Sequence, residues 1–265
     1  MSPRTATLVS FSSTVALYVV FWLAGEFGSP ALSAVWNESL LKLALWAVPS
    51  IVIVGFMWRM PPVEALRELG LATNPLPGLA LGLLTLIPLV VLSTEARLSW
   101  VSAGAIVGTS LVGPFAEEVL FRGLLFRQLL RRGGRSVIWS IAVSALVFGS
   151  AHLTLFVDFS HGHFSYVPWQ VGPANEFGVT MLGGLLLAWI VYRCDTLWPA
   201  VGVHSALNFS WQLTQNSVDV TSFAATMMRL ASITIAIYVT WRVTRRRRDQ
   251  VRSSKFEVRS SERPA

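Results

Sequence analysis

The chain has 265 residues, 53% of them hydrophobic and only 13% charged, with a mean hydropathy of +0.57; this excludes a water-soluble domain and describes a multispanning membrane protein. Its net charge of +7 points to no nucleic-acid partner, because much of the excess lies in 122–135 and 242–252, beside the ends of apolar segments. A single cysteine, Cys194, excludes an internal disulfide framework and a multi-cysteine zinc site.

A crossing of the hydrocarbon core takes about twenty apolar residues. Runs of that kind are predicted at roughly 8–25, 40–58, 76–94, 100–121, 136–154, 175–193, 197–214 and 222–241. Only Arg4 precedes the first run, and no small-residue cleavage site follows it, so it reads as a retained span. Lys42, at the start of the second, reads as a lysine reaching for the interface. Between the second and third, 61–77 is a polar connector, with Glu64, Arg67 and Glu68 on the wet face of a short interfacial helix. Gly104 with Gly108, and the pair Gly183 and Gly184, are expected to let helices approach closely. Trp169, Trp198, Trp211 and Trp241 fall near span ends, as an interfacial belt would. Beyond Thr244 the residues 245–265 read as a basic disordered cytoplasmic tail able to touch anionic lipid.

About eight spans put both termini on one side, and the positive-inside rule chooses the cytoplasm. Arg4, Arg59, Arg67, Arg127, Arg135, Arg193 and Arg245 then face inward. The opposite loops carry Glu26, Glu38, Glu95, Asp158, Glu176 and Asp219, with Arg97 as their main basic residue. The expected fold is an all-α polytopic bundle, one membrane-embedded domain over 1–244, with membrane lipid as an obligatory partner.

Within this apolar background stands Gly113-Pro114-Phe115-Ala116-Glu117-Glu118-Val119-Leu120-Phe121-Arg122. Each ionised side chain at the centre of a membrane helix costs roughly 2.5–3.5 kcal/mol, so such residues usually have a task. Residues four apart on a helix share a face, so Glu118 meets Arg122, while Glu117 points about 100° away and is the candidate acid/base. The alternative is a single buried ion network that only holds helices together. Phe148 lies one turn before His152, where its ring walls the imidazole from lipid; His204 and Asn208 share a face and aim a donor and an acceptor at one point.

A glutamate, two histidines and an asparagine suit the addition of water to an amide carbonyl, with the glutamate shuttling the proton. A proton-coupled transporter, with Glu117, Arg122 and the histidines as relay, is the rival class; no matched pair of Gly/Pro-interrupted spans supports it. A non-catalytic scaffold is a third reading. His161 and His163 with Asp158 form a rival metal candidate whose spacing matches no defined site. Depths counted along the predicted spans do not align: Glu117 stands roughly 8 Å from Arg122 and His204 roughly 10 Å into its span, but His152 roughly 24 Å into its own. Either the fifth span begins later or is tilted or broken, or 122–135 dips into the bundle, and the second remedy is preferred.

The chain resembles the CPBP intramembrane proteases, the family of the type II CAAX prenyl endopeptidases and of bacteriocin-processing or immunity proteins. The family pattern is EExxxR, FxxxH and HxxxN on successive membrane helices; here it reads Glu117-Glu118 to Arg122, Phe148 to His152, and His204 to Asn208, over roughly 100–212. The resemblance implies an intramembrane endopeptidase in a bacterial cell membrane, acting on a membrane-associated peptide or protein, prenylated or bacteriocin-like. It implies that Glu117 is the catalytic glutamate, His152 its partner in activating water, and that His204 and Asn208 bind the oxyanion. Glu118, Arg122 and Phe148 are orienting. A divalent metal, zinc, on Glu117, His152 and His204 would complete a site of three protein ligands and water, although no HExxH motif is present.

Overall fold

The computed structural model describes residues 1–27, 35–92, 107–153, 157–158, 163–164, 173–215, 227 and 230–245. Helix dominates, as it must where no water is at hand to satisfy backbone N–H and C=O groups. Helix α1 spans Pro3–Phe27. Helix α2 runs from Val35–Lys42 through a π-helical turn, Leu43–Ala47, into Val48–Trp58. A short α3, Pro62–Leu69, and α4, Leu76–Leu92, follow. Helix α5 alternates wide and normal turns: π over Gly108–Val112, α over Gly113–Glu118, π over Val119–Arg127 and α over Gln128–Arg131. Then come α6, Val137–His152, α7, Pro173–Cys194, α8, Trp198–Gln215, and α9 over 230–245. The all-helical expectation needs one addition, a two-stranded antiparallel ladder of β1, Val157–Asp158, and β2, His163–Phe164, with Asp158 opposite His163. The side chains of that candidate metal loop, and those of Trp169 and Trp211, lie outside the described residues, as do Gly104 and the tail 246–265.

Polarity is inverted relative to a soluble fold. On α1, Thr7, Ser10 and Thr14 form a buried stripe while Leu8, Phe11, Val15 and Val19 are exposed. Two of the hydroxyls are satisfied within the helix, Thr7 Oγ1 donating to the carbonyl of Pro3 at 3.0 Å and Thr14 Oγ1 to that of Ser10 at 2.8 Å, while the Ser10 hydroxyl is buried without a partner among the described residues. Each predicted span contains helix among the described residues. Three helical stretches, Pro3–Ala24, Ser39–Trp58 and Phe177–Cys194, are long and apolar enough to cross a membrane, and Leu76–Ile87 and Val137–His152 are shorter apolar helices.

Helix α5 is the axis of the bundle: every residue from 116 to 129 is buried. It does not stop at 121. The basic stretch continues as helix to Arg131, and Arg127, 3% exposed, is held by Asp195 at 3.0 Å and by the carbonyl of Glu68 at 2.9 Å. Glu68 also takes Arg131 at 3.4 Å and Arg132 at 2.9 Å, so it docks on α5, whereas Glu64 and Arg67 are exposed. Gly70, at φ 87, ends α3 where a Cβ would meet the Arg127 guanidinium at 3.1 Å. The buried basic stretch removes the mismatch in depth. From the Arg127–Asp195 contact, Glu117 lies about 15 Å along α5 and His204 about 13 Å along α8; measured from the ends nearest their connecting loop, Glu117 and His152 lie about 21 Å and about 22 Å away.

Helix α8 is pressed onto α4 without side chains between them. A Cβ on Gly202 would stand 2.0 Å from the carbonyl oxygen of Gly78, and one on Gly82 2.5 Å from that of Gly202. Helices α6 and α7 use the same device at Gly184, whose added Cβ would touch the Ala145 Cα at 3.0 Å, while Gly183 meets nothing within 4 Å. These close approaches are what membrane helices use in place of a hydrophobic drive.

Candidate functional site

Glu117 and Glu118 sit at the junction where the α-turn of α5 gives way to the π segment Val119–Arg127. Single π turns widen a helix by one residue and are frequent at functional sites. A carbonyl of that segment has a partner from outside it: Ser144 Oγ on α6 donates to the Phe121 carbonyl at 2.9 Å. Glu118 has no exposure, and its Oε1 is 3.3 Å from Arg122 Nη1, the contact expected from their spacing. The same oxygen is 2.9 Å from His204 Nδ1. A carboxylate can only accept, so His204 donates from Nδ1 and turns Nε2 toward Glu117. The fully buried Arg122 guanidinium also lies 4.1 Å from the centre of the Phe148 ring.

Phe148 therefore does more than wall one imidazole from lipid. His152 packs edge-on to it at 4.6 Å and His204 at 5.9 Å, so one ring spaces a guanidinium and two histidines. His152 Nδ1 is 2.8 Å from the Phe148 carbonyl and donates to it, which again leaves Nε2 as the working nitrogen. The end of α6 is tied to α1 by the Tyr18 hydroxyl, which donates to the carbonyl of Ala151.

Glu117 touches two partners through different oxygens. Oε2 is 3.6 Å from His204 Nε2, and Oε1 is 3.0 Å from Lys42 Nζ. Lys42 was expected to reach for the interface; it turns inward instead, 17% exposed, flanked by the rings of Phe21 and Trp46 at 5.6 and 5.5 Å. An ion pair in low dielectric, reinforced by two aromatic faces, replaces hydration at the headgroups. Its signal in the sequence is weak: a lysine one turn before a tryptophan inside an apolar run.

The structure thus links Glu117, Glu118, Arg122, Phe148, His152 and His204 through direct contacts from α5, α6 and α8. Asn208, one turn beyond His204 on the same face, donates from Nδ2 to the Thr109 carbonyl at 3.2 Å. That bond anchors α8 to the first π turn of α5 and uses one of the two amide hydrogens. Trp198, expected in an interfacial belt, donates to the Leu71 carbonyl at 3.1 Å and stacks on Phe115.

Among the described residues no three of His, Cys, Asp and Glu are grouped to hold an ion. The Lys42 ammonium, moreover, already stands at the Glu117 carboxylate where a cation's charge would fall. What the arrangement can do chemically is hold a buried carboxylate beside Nε2 of His204, with half-buried His152 across the Phe148 ring and charge balanced by Lys42 and Arg122.

Residues 99–210 match a family model described as Rce1-like: type II CAAX prenyl endopeptidase Rce1-like. Comparison with curated proteins and with solved structures gave no significant match. The matched stretch is less than half of the chain, and it contains all three motifs and every linked residue except Lys42 and its aromatic flank. The polar cluster of α5, α6 and α8 accordingly lies within the segment that matches the Rce1-like family model, and that match with the apolar helices points to an integral membrane protein.

Proposed function

We propose that this protein is an intramembrane endopeptidase whose water is activated by Glu117. The observation that carries the reading is the contact of Glu117 with His204 at 3.6 Å, and the packing of His204 and His152 on one Phe148 ring, from three helices inside the Rce1-like segment. Glu117 Oε2 takes a proton from a water molecule as the water oxygen attacks the scissile carbonyl carbon, and His152 Nε2 orients that water. The oxyanion that forms accepts from the second amide hydrogen of Asn208, beside His204, which Glu118 steadies through Nδ1. Collapse breaks the C–N bond, and Glu117 passes its proton to the leaving nitrogen. Proton transfer of this kind contributes typically 10²- to 10⁴-fold, and each oxyanion donor about 10²- to 10³-fold. About eight spans with cytoplasmic termini place the site toward the cytoplasmic half of a bacterial membrane, where the substrate is a lipidated or membrane-associated peptide, prenylated or bacteriocin-like.

A divalent ion such as zinc on Glu117, His152 and His204 is the competing proposal. One observation favours it: both imidazoles donate from Nδ1 to oxygen acceptors, Glu118 and the Phe148 carbonyl, as metal-ligating histidines commonly do. It would require Lys42 to give way. Metal analysis of active protein separates the two: the reading preferred here expects well below one equivalent and cleavage unaffected by a chelator, and a stoichiometric ion whose removal abolishes cleavage would establish the other.

The direct test uses protein reconstituted in liposomes and a panel of internally quenched peptides, one ending in a farnesylated CAAX sequence and the others unprenylated and apolar. Wild type is expected to cut at least one of them, and Glu117→Ala and His152→Ala to cut none. Variants that cut as well as wild type would reduce the cluster to a charge network in a non-catalytic scaffold.

A further inference from the structure

Lys42 lies on α2, outside 99–210 and in none of the three motifs. Its surroundings are nevertheless those of a built socket. Trp46, one turn on, is 2% exposed and donates from Nε1 to the Leu17 carbonyl of α1 at 3.2 Å. Its ring packs against Tyr18 at 5.9 Å and Phe21 at 4.5 Å, and edge-on against Phe121 of α5 at 6.0 Å. The π turn Leu43–Ala47 begins at the residue after Lys42. Three helices therefore fix the direction in which the lysine leaves its backbone, and that direction ends 3.0 Å from Glu117 Oε1.

We propose that Lys42 is a positioning residue of the site: by holding Oε1 it leaves Oε2 as the oxygen of Glu117 that faces His204 and meets the water. The inference rests on reading Glu117 as the general base. The terminal torsion of a glutamate is broad and roughly two-fold, so an unclamped carboxylate presents either oxygen over a range of angles. A reacting group displaced by about 1 Å can lose 10²-fold in rate. The lysine and the imidazole engage different oxygens of the same carboxylate, so the lysine acts through Glu117.

Full-length protein in liposomes, assayed with whichever peptide of the panel wild type cuts, tests this with Lys42→Met, Lys42→Gln, Lys42→Arg and Glu117→Ala. Lys42→Met is expected to lower kcat by about 10²-fold with KM little changed. Lys42→Arg, which keeps a cation in the socket, should recover most of that loss at an unchanged unfolding midpoint. If Lys42→Met does not fold, Lys42→Gln serves in its place, with a reduced kcat expected. The inference is overturned by a neutral variant with wild-type kcat, by a loss confined to KM, or by an arginine variant as slow as the methionine one. Glu117→Ala separates the two levels: if it is inactive while Lys42→Met is fully active, only the positioning role falls, and if it cuts like wild type the general-base reading falls and takes this one with it.

Discussion

Glu118 and Arg122 form the most secluded charge pair of the described residues, both without exposure, and their worth is set by what each would be without the other. Removing one partner of a buried pair leaves a desolvated charge, at a cost of about 3–5 kcal/mol. Arg122→Ala is therefore expected to lower the thermal unfolding midpoint of detergent-purified protein sharply, with Glu117 chemistry lost only as a consequence; an unchanged midpoint would mean that the guanidinium carries no structural load. This pair was legible in the sequence because both members sit on one helix at a spacing that local geometry alone brings together. Glu118 with His204 and Glu117 with Lys42 were not, since they depend on which helices become neighbours. Lys42 was the harder of the two. A lysine near the start of an apolar run ordinarily extends to the interface, and only the placement of Phe21 and Trp46 shows why this one does not.

At the scale of elements, three π segments matter most: one begins after Lys42, one precedes Gly113, and one follows Glu118. No residue pattern announces them, because a wide turn arises where neighbouring groups supply partners, as Ser144 does for Phe121. The end of the fourth span was legible only in part: the apolar run stops at 121, and the mismatch in depth alone pointed to 122–135 dipping into the bundle. Gly123 is packed against Leu69 and Arg127 is paired with Asp195, so the helix continues to Arg131. Gly78 and Gly82, four apart in an apolar helix, have the spacing of Gly104 and Gly108 but were not singled out from the sequence, and nothing in the sequence marks their partner Gly202. Gly202→Val should force α8 from α4, against backbone contacts that already leave no room for a Cβ. The expected cost is at least the ~1–3 kcal/mol of ordinary overpacking, with a fall in cleavage because His204 rides on the displaced helix. Full activity and stability in that variant would contradict the observed helix spacing.

At the scale of the molecule, the buried hydroxyl stripe of α1 and its exposed aliphatic face are what a lipid-facing helix requires. The proposed topology makes a separate prediction. With Cys194 replaced by Ala, single cysteines at Ser2, Glu64 and Arg132 should all resist a membrane-impermeant thiol reagent in intact cells and react in inverted vesicles. Labelling of any one from outside would break the arrangement of about eight spans with cytoplasmic termini.

The account stands or falls on whether Glu117 and His152 act on the same water. Groups that serve one step as a unit are strongly non-additive when removed together. A double-mutant cycle on kcat/KM with Glu117→Ala, His152→Ala and the pair measures this directly. The prediction is that each single variant loses at least about 10²-fold and that the double variant is no slower than the slower single. Losses that multiply in the double variant, or a single variant that retains wild-type kcat/KM, would contradict a shared hydrolytic water.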